Sequence, residues 1–427
     1  MKKWNDVYRM VKNGDLDASL LKTGCEDLKA ARERAAQVME GFKESFGATE
    51  DTMVALCSAP GRTEICGNHT DHQHGRVLAA AVNLDFLACV ALNGTSVVHF
   101  QSEGWPMTTV DLSDLKVQEA EKETTASLVR GVLAQLAQGG YEVAGFDMYA
   151  VSSVLPGSGL SSSAACEVLL GTAGNHLFCG DAYDAVTIAR IGQKAENIYF
   201  GKPSGLMDQT ASSVGDTVAI DFANPEAPVV RPIEANLEGL GLALCIIDCG
   251  ADHAALTGEY ASIPQEMCQV AAYFGKKVLR EVNEADVLAN LPALRQKVGD
   301  RAVLRALHFY ADDQRAVEEA DALASGEKEI FLNLVKESGR SSWELLQNIT
   351  PAAAVAHQDM AIALTVAEKA LNGEGACRVH GGGFAGTIQA FVPLEKVSAF
   401  KKTVESMLGE GCCHVLSIRP AGGIVLE

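Results

Sequence analysis

Between Phe146 and Gly180 the chain passes through a short apolar run, "FDMYAV", a turn, "VLPGSGLSSS", and a long apolar-patterned stretch that begins "AACEVLL". This order constrains the fold more than any other feature. The glycines permit backbone conformations closed to other residues, and the serines suit the start of a helix. The whole reads as strand, bare loop and helix. Ala165, Val168, Leu169, Ala173 and Leu177 fall on one helical face, and Gly180 ends it. A loop this bare leaves free N–H groups at the helix start, where the helix dipole adds positive potential, and such a place attracts anions. The amides from Gly159 to Ser163 are therefore expected to hold a phosphate without a lysine. A triphosphate brings Mg²⁺, for which a serine hydroxyl is a suitable ligand. No GK[ST] follows the glycines and the third glycine of GxGxxG is a serine, so this is neither a Walker A loop nor a dinucleotide fingerprint. In isolation the same residues also describe a serine-capped helix on a glycine hinge.

The remaining pattern divides the chain in two. The first fifty residues read as charged helix, and Val54 to Phe100, with short apolar runs broken by Gly and Asn-Gly, as an antiparallel or mixed sheet. Glu103 to Thr125 reads as an acidic loop, "ASLVRGVLAQLAQGGY" as a short helix stopped by glycines, and residues 184–200 as helix again. After a strand pair around "TVAIDF" and "LALCIIDCG", the chain from about Ile263 to Leu371 is helix-patterned almost throughout. The close, "CRVHGGGFAGTIQAFVP", "LEKVSAFKKTVESML" and "HVLSIRP", reads as a β-α-β unit. The expectation is an α/β domain over residues 1–215, an α+β domain over 216–427, and a functional cleft between them.

With 427 residues, 48% of them hydrophobic, both domains can bury full cores. A formal net charge of −20 opposes general affinity for nucleic acid or anionic lipid, while a small anion remains open to a site with local donors. The N-terminal stretch is charged throughout and lacks a signal core. No run reaches the roughly 18 apolar residues of a membrane span. The twelve cysteines form neither CxxC pairs nor a secreted disulfide framework, so reduced thiols in the cytoplasm are expected.

Three further stretches carry chemistry. "APGRTEICGNHTDHQHGRVL", Ala59 to Leu78, holds more polar function than a turn requires. His69, His72 and His74 suggest a metal, but their spacing matches no helix face, and the neighbouring carboxylates and amides suit hydroxyl binding equally well. In "QKAENIYFGKPSGLMDQTASSVG" a Gly-Lys-Pro-Ser-Gly turn can fold Asp208 back towards Glu196, so that one carboxylate ligates Mg²⁺ while the other faces a substrate hydroxyl. A helix-capping aspartate is the plainer alternative. "VHGGGFAGTIQAFV", Val379 to Val392, would suit an esterase oxyanion loop, but the chain has no G-x-S-x-G elbow, and a turn that admits a close neighbour is the better reading.

Taken in this order, the four segments resemble the GHMP small-molecule kinases, and among them the galactokinases. The signature GRxNxIGEHxDYxxGxVLP stands here as Gly61 to Leu78, GxGLSSSAA as Gly157 to Ala165, GxPCGxMDQ with Ser204 for cysteine, and GGGFGG with Ala385 for a glycine. The resemblance runs from about residue 50 to the closing "SIRPAGGIVL". It implies a GHMP kinase fold, with a ribosomal S5 domain 2-like N-terminal domain and a ferredoxin-like C-terminal one. It also implies transfer of a phosphoryl group from ATP to a sugar hydroxyl, in galactokinases the anomeric one, with sugar and nucleotide as partners and a monomer as the expected form. By position, Asp208 takes or orients the hydroxyl proton, and Arg62 lowers its pKa and stabilises the moving phosphoryl. Ser163 and Glu196 hold Mg²⁺, with Ser162 as a neighbouring candidate. Gly157, Ser158, Gly159, Leu160, Ser161, Ser162 and Ser163 line the triphosphate, and Asn68, His69, Asp71, Gly205 and Tyr260 meet the sugar.

Several positions depart from the family pattern. Asn68 stands for a glutamate expected at the sugar's far hydroxyl, Glu64 for asparagine and His72 for tyrosine. Thr125 and Leu128 stand for a tryptophan and a tyrosine, removing a stacking surface worth about 1 kcal/mol beside adenine. The paired arginines expected after Tyr260 are absent. The reaction centre is complete while the pocket around it has changed. Galactose, phosphorylated at its anomeric hydroxyl to galactose 1-phosphate, is the expected substrate. Since an amide in place of a carboxylate would ease repulsion of a negatively charged sugar, a uronic acid or N-acetylhexosamine kinase is the alternative. A non-catalytic sugar sensor would have been free to lose Asp208 and the Mg²⁺ ligands, and this chain keeps them.

Overall fold

A computed structural model describes residues 1–154, 159–233, 236–250 and 256–426. Its strands, in chain order, are β1 (Lys2–Lys3), β2 (Met53–Cys66), β3 (Arg76–Leu92), β4 (Val97–Ser102), β5 (Thr108–Asp111), β6 (Phe146–Ser152), β7 (Thr217–Asp221), β8 (Val229–Ile233), β9 (Leu242–Asp248), β10 (Ala376–Val379), β11 (Thr387–Pro393), β12 (Cys413–Leu416) and β13 (Ile424–Leu426). The principal helices are α1 (Trp4–Asn13), α2 (Leu28–Phe46), α3 (Thr125–Gln138), α4 (Ser162–Gly174), α5 (Ala185–Lys194), α6 (Met207–Val214), α7 (Thr257–Tyr273), α8 (Asp300–Ala324), α9 (Lys328–Ser341), α10 (Asp359–Leu371) and α11 (Val397–Leu408).

The long strands β2 and β3 pair antiparallel, Ala55 opposite Val90, and form the spine of the first sheet. Its order is β1-β2-β3-β6-β4-β5, with β13 on β2 and β7 joining β3 to β8. Strand alternation sends successive side chains to opposite faces. Cys57, Ala59, Ala88 and Val90 pack with α3 and α4, whereas Leu56, Leu87 and Cys89 pack with α1 and α2. A sheet covered on both faces explains the unbroken apolar runs of the sequence. The second sheet has the order β10-β11-β9-β12, antiparallel throughout. With β9 between them, β11 and β12 run parallel to each other and are joined by α11. This split β-α-β unit gives the ferredoxin-like order expected for the C-terminal half.

The structure corrects the expected layout in three places. The acidic segment from Glu103 to Thr125 contains β5, whose four residues are too few to show alternation but complete the edge by pairing with β4. "TVAIDF" and "LALCIIDCG" lie in different sheets. The expected boundary near residue 215 falls inside the first sheet, which continues to Ile233 and takes back the C-terminal β13. All twelve cysteines are free thiols. Among the described residues no helix is long and apolar enough to cross a membrane.

The two sheets share one core. Ile65 and Leu78 meet Leu244, Ile246 and Phe391 there, together with Ala316 and Ala320 of α8. In the same turn of α8, Glu319 is fully buried, with the Cys66 thiol beside its carboxyl. Burial, only partly offset by the Arg378 charge, pushes its carboxyl up to about 8. A raised folded-state pKa stabilises fully below the unfolded value of about 4.3 and loses that contribution as pH rises through the folded value. Relative to Glu319→Gln, wild-type stability should fall by about 1.4 kcal/mol per pH unit from about pH 5 to about pH 8, then level off. Urea unfolding of both proteins across that range reads the slope difference.

Candidate active site

Three segments meet where α4 begins. An irregularity in the β2–β3 ladder between Pro60 and Arg62 brings the Arg62 amide onto the Leu160 carbonyl at 3.0 Å. The Arg62 guanidinium donates to the Gly159 carbonyl and clasps Asp208 through Nε and Nη2, each at 2.8 Å. Asp208 lies in the first turn of α6. Its Oδ2 also accepts from the Ser161 hydroxyl at 2.6 Å. Burial alone would raise this carboxyl, but the Arg62 charge and the hydrogen bonds from Ser161 and Arg62 outweigh it and hold Asp208 below the usual range. The Asp208 side chain is 30% exposed and that of Arg62 7%, so the carboxylate is open to solvent while its partner is enclosed.

Ser161 has a left-handed backbone, φ 57, and makes no side-chain cap on α4. The serines were expected to suit the helix start; instead, the Ser161 hydroxyl is committed to Asp208, and the free amides of the first turn of α4 point past it. Leu160 contributes backbone only, because its side chain is in the core. Gly157 and Ser158, expected to line the same site, lie outside the described residues.

A second cluster adjoins the first. The helix α5 continues through a π turn, Ala195–Phe200, which sets Glu196 facing Ser163 across a 3.2 Å hydrogen bond. Gln209, next to Asp208 in α6, donates to both Glu196 and Glu167 at 3.0 and 2.9 Å. Burial, followed by the Glu196 charge, lifts Glu167 well above the usual carboxylate range. Ser204, at the position where the family pattern has cysteine, donates to Glu196 at 2.5 Å.

On the other side lies the signature loop after β2. His69 Nε2 donates to the Gly382 carbonyl at 3.0 Å, and burial lowers its pKa to about 3, so the ring is neutral. A Cβ on Gly205 would stand 1.8 Å from Asp71 Oδ2, so only glycine lets the 201–205 turn close on Asp71. Tyr260 donates to the Gly383 carbonyl at 2.9 Å, and Gly383 (φ 83) approaches the Asn348 carbonyl so closely that a Cβ would stand 2.2 Å from it. The structure thus brings together Gly159, Arg62, Ser161 and Asp208, then Ser163 and Glu196, and sets His69 and Tyr260 on the glycine loop, with Asp71 against Gly205.

Asn68 is placed differently from the expectation. Its side chain is fully buried. The amide donates to Glu64 at 2.8 Å and to the Gly381 carbonyl at 2.7 Å, and accepts from Asn348 at 2.7 Å. It therefore braces the glycine loop instead of presenting its amide to solvent. Glu64 also accepts from the fully buried Arg378 at 2.9 Å. The two departures from the signature are reciprocal, Glu for Asn at 64 and Asn for Glu at 68, and the exchanged side chains bond to each other. Two substitutions four residues apart that trade the same pair of residue types were a signal available in the sequence. Sequence reasoning also missed Gln209, Lys202, Arg378 and Asn348. Arg378 and Asn348 do not stand out in a single sequence because their partners lie far along the chain, whereas Lys202 and Gln209 lie within the motif that carries Glu196 and Asp208 and could have been singled out there.

The fold and this arrangement of loops define a GHMP-type kinase. The profile described as "GHMP kinases N terminal domain" matches residues 127–216, and "Galactokinase galactose-binding signature" matches residues 40–92. A Streptomyces coelicolor galactokinase is 31% identical over 87% of this chain and 92% of its own, and a Glaesserella parasuis galactokinase 30% identical over 85% and 91%. The solved structure of a Lactococcus lactis galactokinase complexed with galactose superposes with a TM-score of 0.78 at 26% identity, covering 91% of this chain and 99% of that one. A Methanococcus jannaschii mevalonate kinase, 15% identical over 86% of this chain and 98% of its own with a TM-score of 0.59, shares the fold alone. The chain belongs to the galactokinase family.

Proposed function

We propose that this protein transfers the terminal phosphoryl group of ATP to the anomeric hydroxyl of galactose, giving galactose 1-phosphate and ADP. The observation that carries this reading is the convergence of Arg62, Ser161 and Asp208 at the start of α4. Phosphoryl transfer needs positioning and charge neutralisation more than covalent chemistry. Asp208, kept anionic by Arg62, accepts a hydrogen bond from the sugar hydroxyl and takes its proton as the bond to phosphorus forms. Arg62 also lies close enough to offset charge on the transferred group. The first-turn amides of α4 receive the phosphates, with Gly157 to Ser163 as the expected lining. His69, Asp71, Gly205 and Tyr260 border the sugar.

Magnesium is the expected companion of the nucleotide. Ser163 and Glu196 offer two adjacent oxygens, and a hard cation that keeps its own waters and takes phosphate oxygens needs no more from the protein. Bound there, it would neutralise phosphate charge. The free thiols fit a reducing cytoplasm, where ATP is supplied. A charged sugar was favoured by an amide at position 68 facing substrate; with Asn68 turned inward that argument loses its residue.

A coupled ADP-release assay across galactose, galacturonate, N-acetylgalactosamine, arabinose and glucose tests the reading. Galactose should give the highest kcat/KM, and a higher value for galacturonate or N-acetylgalactosamine would replace it. Gly205→Ala should displace Asp71 and raise the KM for galactose about tenfold with less effect on the KM for ATP, seen in the same assay.

A further inference from the structure

Glu196 is held from two sides by different kinds of donor. Its Oε2 accepts from Ser204 at 2.5 Å and Gln209 at 3.0 Å, both neutral groups. Its Oε1 accepts from Ser163 at 3.2 Å and from the Lys202 ammonium at 3.0 Å. Glu196 is almost wholly buried, its side chain 3% exposed, whereas that of Lys202 is 59% exposed. The ammonium therefore reaches in from the surface on a flexible four-carbon stem. It stands on the one carboxylate oxygen that Ser163 shares. A divalent cation held by Ser163 and Glu196 would compete with the ammonium for that oxygen, because two positive charges within a few ångströms repel strongly. The described part of the loop entering α4, Gly159 to Ser163, has no lysine of its own.

Resting on the kinase reading, we propose that Lys202 is an exchangeable counter-cation of the phosphate site. It neutralises Glu196 before nucleotide arrives, leaves Oε1 to the incoming divalent cation, and then donates from its ammonium to the terminal phosphate. A lysine missing from the phosphate loop is thus supplied by the turn that precedes Asp208. The assignment makes Lys202 a competitor of the metal and a partner of the nucleotide. A single substitution should therefore move the two affinities in opposite directions.

The test compares wild type with Lys202→Met and Lys202→Arg. Mn²⁺ affinity of the nucleotide-free protein is read from loss of the free-ion EPR signal, and affinity for MgATP is read by calorimetry. Lys202→Met should bind Mn²⁺ several-fold more tightly and MgATP about tenfold more weakly, with Lys202→Arg restoring the MgATP affinity. A loosened fold would weaken both, and a solvated surface lysine would change neither; either result overturns the proposal. If wild type binds MgATP normally and Lys202→Met matches it in both measurements, Lys202 is misassigned while the kinase reading stands. If wild type binds no MgATP at all, the kinase reading itself fails and takes this proposal with it.

Discussion

Asp208→Asn is expected to lower kcat for sugar phosphorylation by about 10³-fold or more while leaving the protein folded and its affinity for MgATP within a small factor of wild type. Asparagine keeps the shape but removes the charge. Its amide oxygen can still accept one Arg62 hydrogen bond, yet the other half of the clasp then sets an NH₂ against a guanidinium N–H, and the Ser161 hydroxyl loses an anionic acceptor. Arg62 retains the Gly159 carbonyl, so the helix start need not unravel. Burst-phase and steady-state ADP release, with far-UV circular dichroism as the fold control, read the effect. A kcat near wild type would remove Asp208 from the chemistry.

The second large effect is structural. Arg378 is fully buried in β10 and reaches across to Glu64 in β2, joining the two sheets, with a second hydrogen bond to the Ile65 carbonyl. Leaving one member of a buried charged pair without the other typically costs about 3–5 kcal/mol. Glu64→Gln and Arg378→Met should each destabilise by about that much, measured by urea unfolding. The double variant should lose clearly less than the sum of the two, because neither charge is then stranded. Additive losses would show that the pair is not coupled. Asn68 hangs from the same carboxylate and holds the glycine loop, so Glu64→Gln should also raise the KM for sugar through a loosened loop.

Much of this was legible in the sequence because its signals are local. The strand-loop-helix order and the helix that carries Glu196 follow from residues near one another in the chain, and the four motifs stand in register; the left-handed backbone of Ser161 and the π turn at Glu196 were not read from it. The first sheet's long strands were harder to place, because burial on both faces erases the alternation that identifies a half-exposed strand. What could not be read is long-range. Asn68 was expected to face the sugar, since an amide within a binding motif is a natural hydroxyl partner. Only the approach of Asn348 and Gly381, some three hundred residues away in the chain, turns it into a brace. The boundary near residue 215 missed for the same reason: β13 returns from the C-terminus to pair with β2.

The central claim is that phosphate rests on the first turn of α4 and sugar lies against Asp208, close enough for direct transfer between them. A crystal structure with a non-hydrolysable ATP analogue, Mg²⁺ and galactose tests it most directly. The expected result places the terminal phosphate on the amides at Ser162 and Ser163, with the anomeric oxygen about 2.6–3.2 Å from the Asp208 carboxylate and in line with that phosphorus. A galactose bound away from Asp208, or with another hydroxyl turned towards the phosphate, would contradict it.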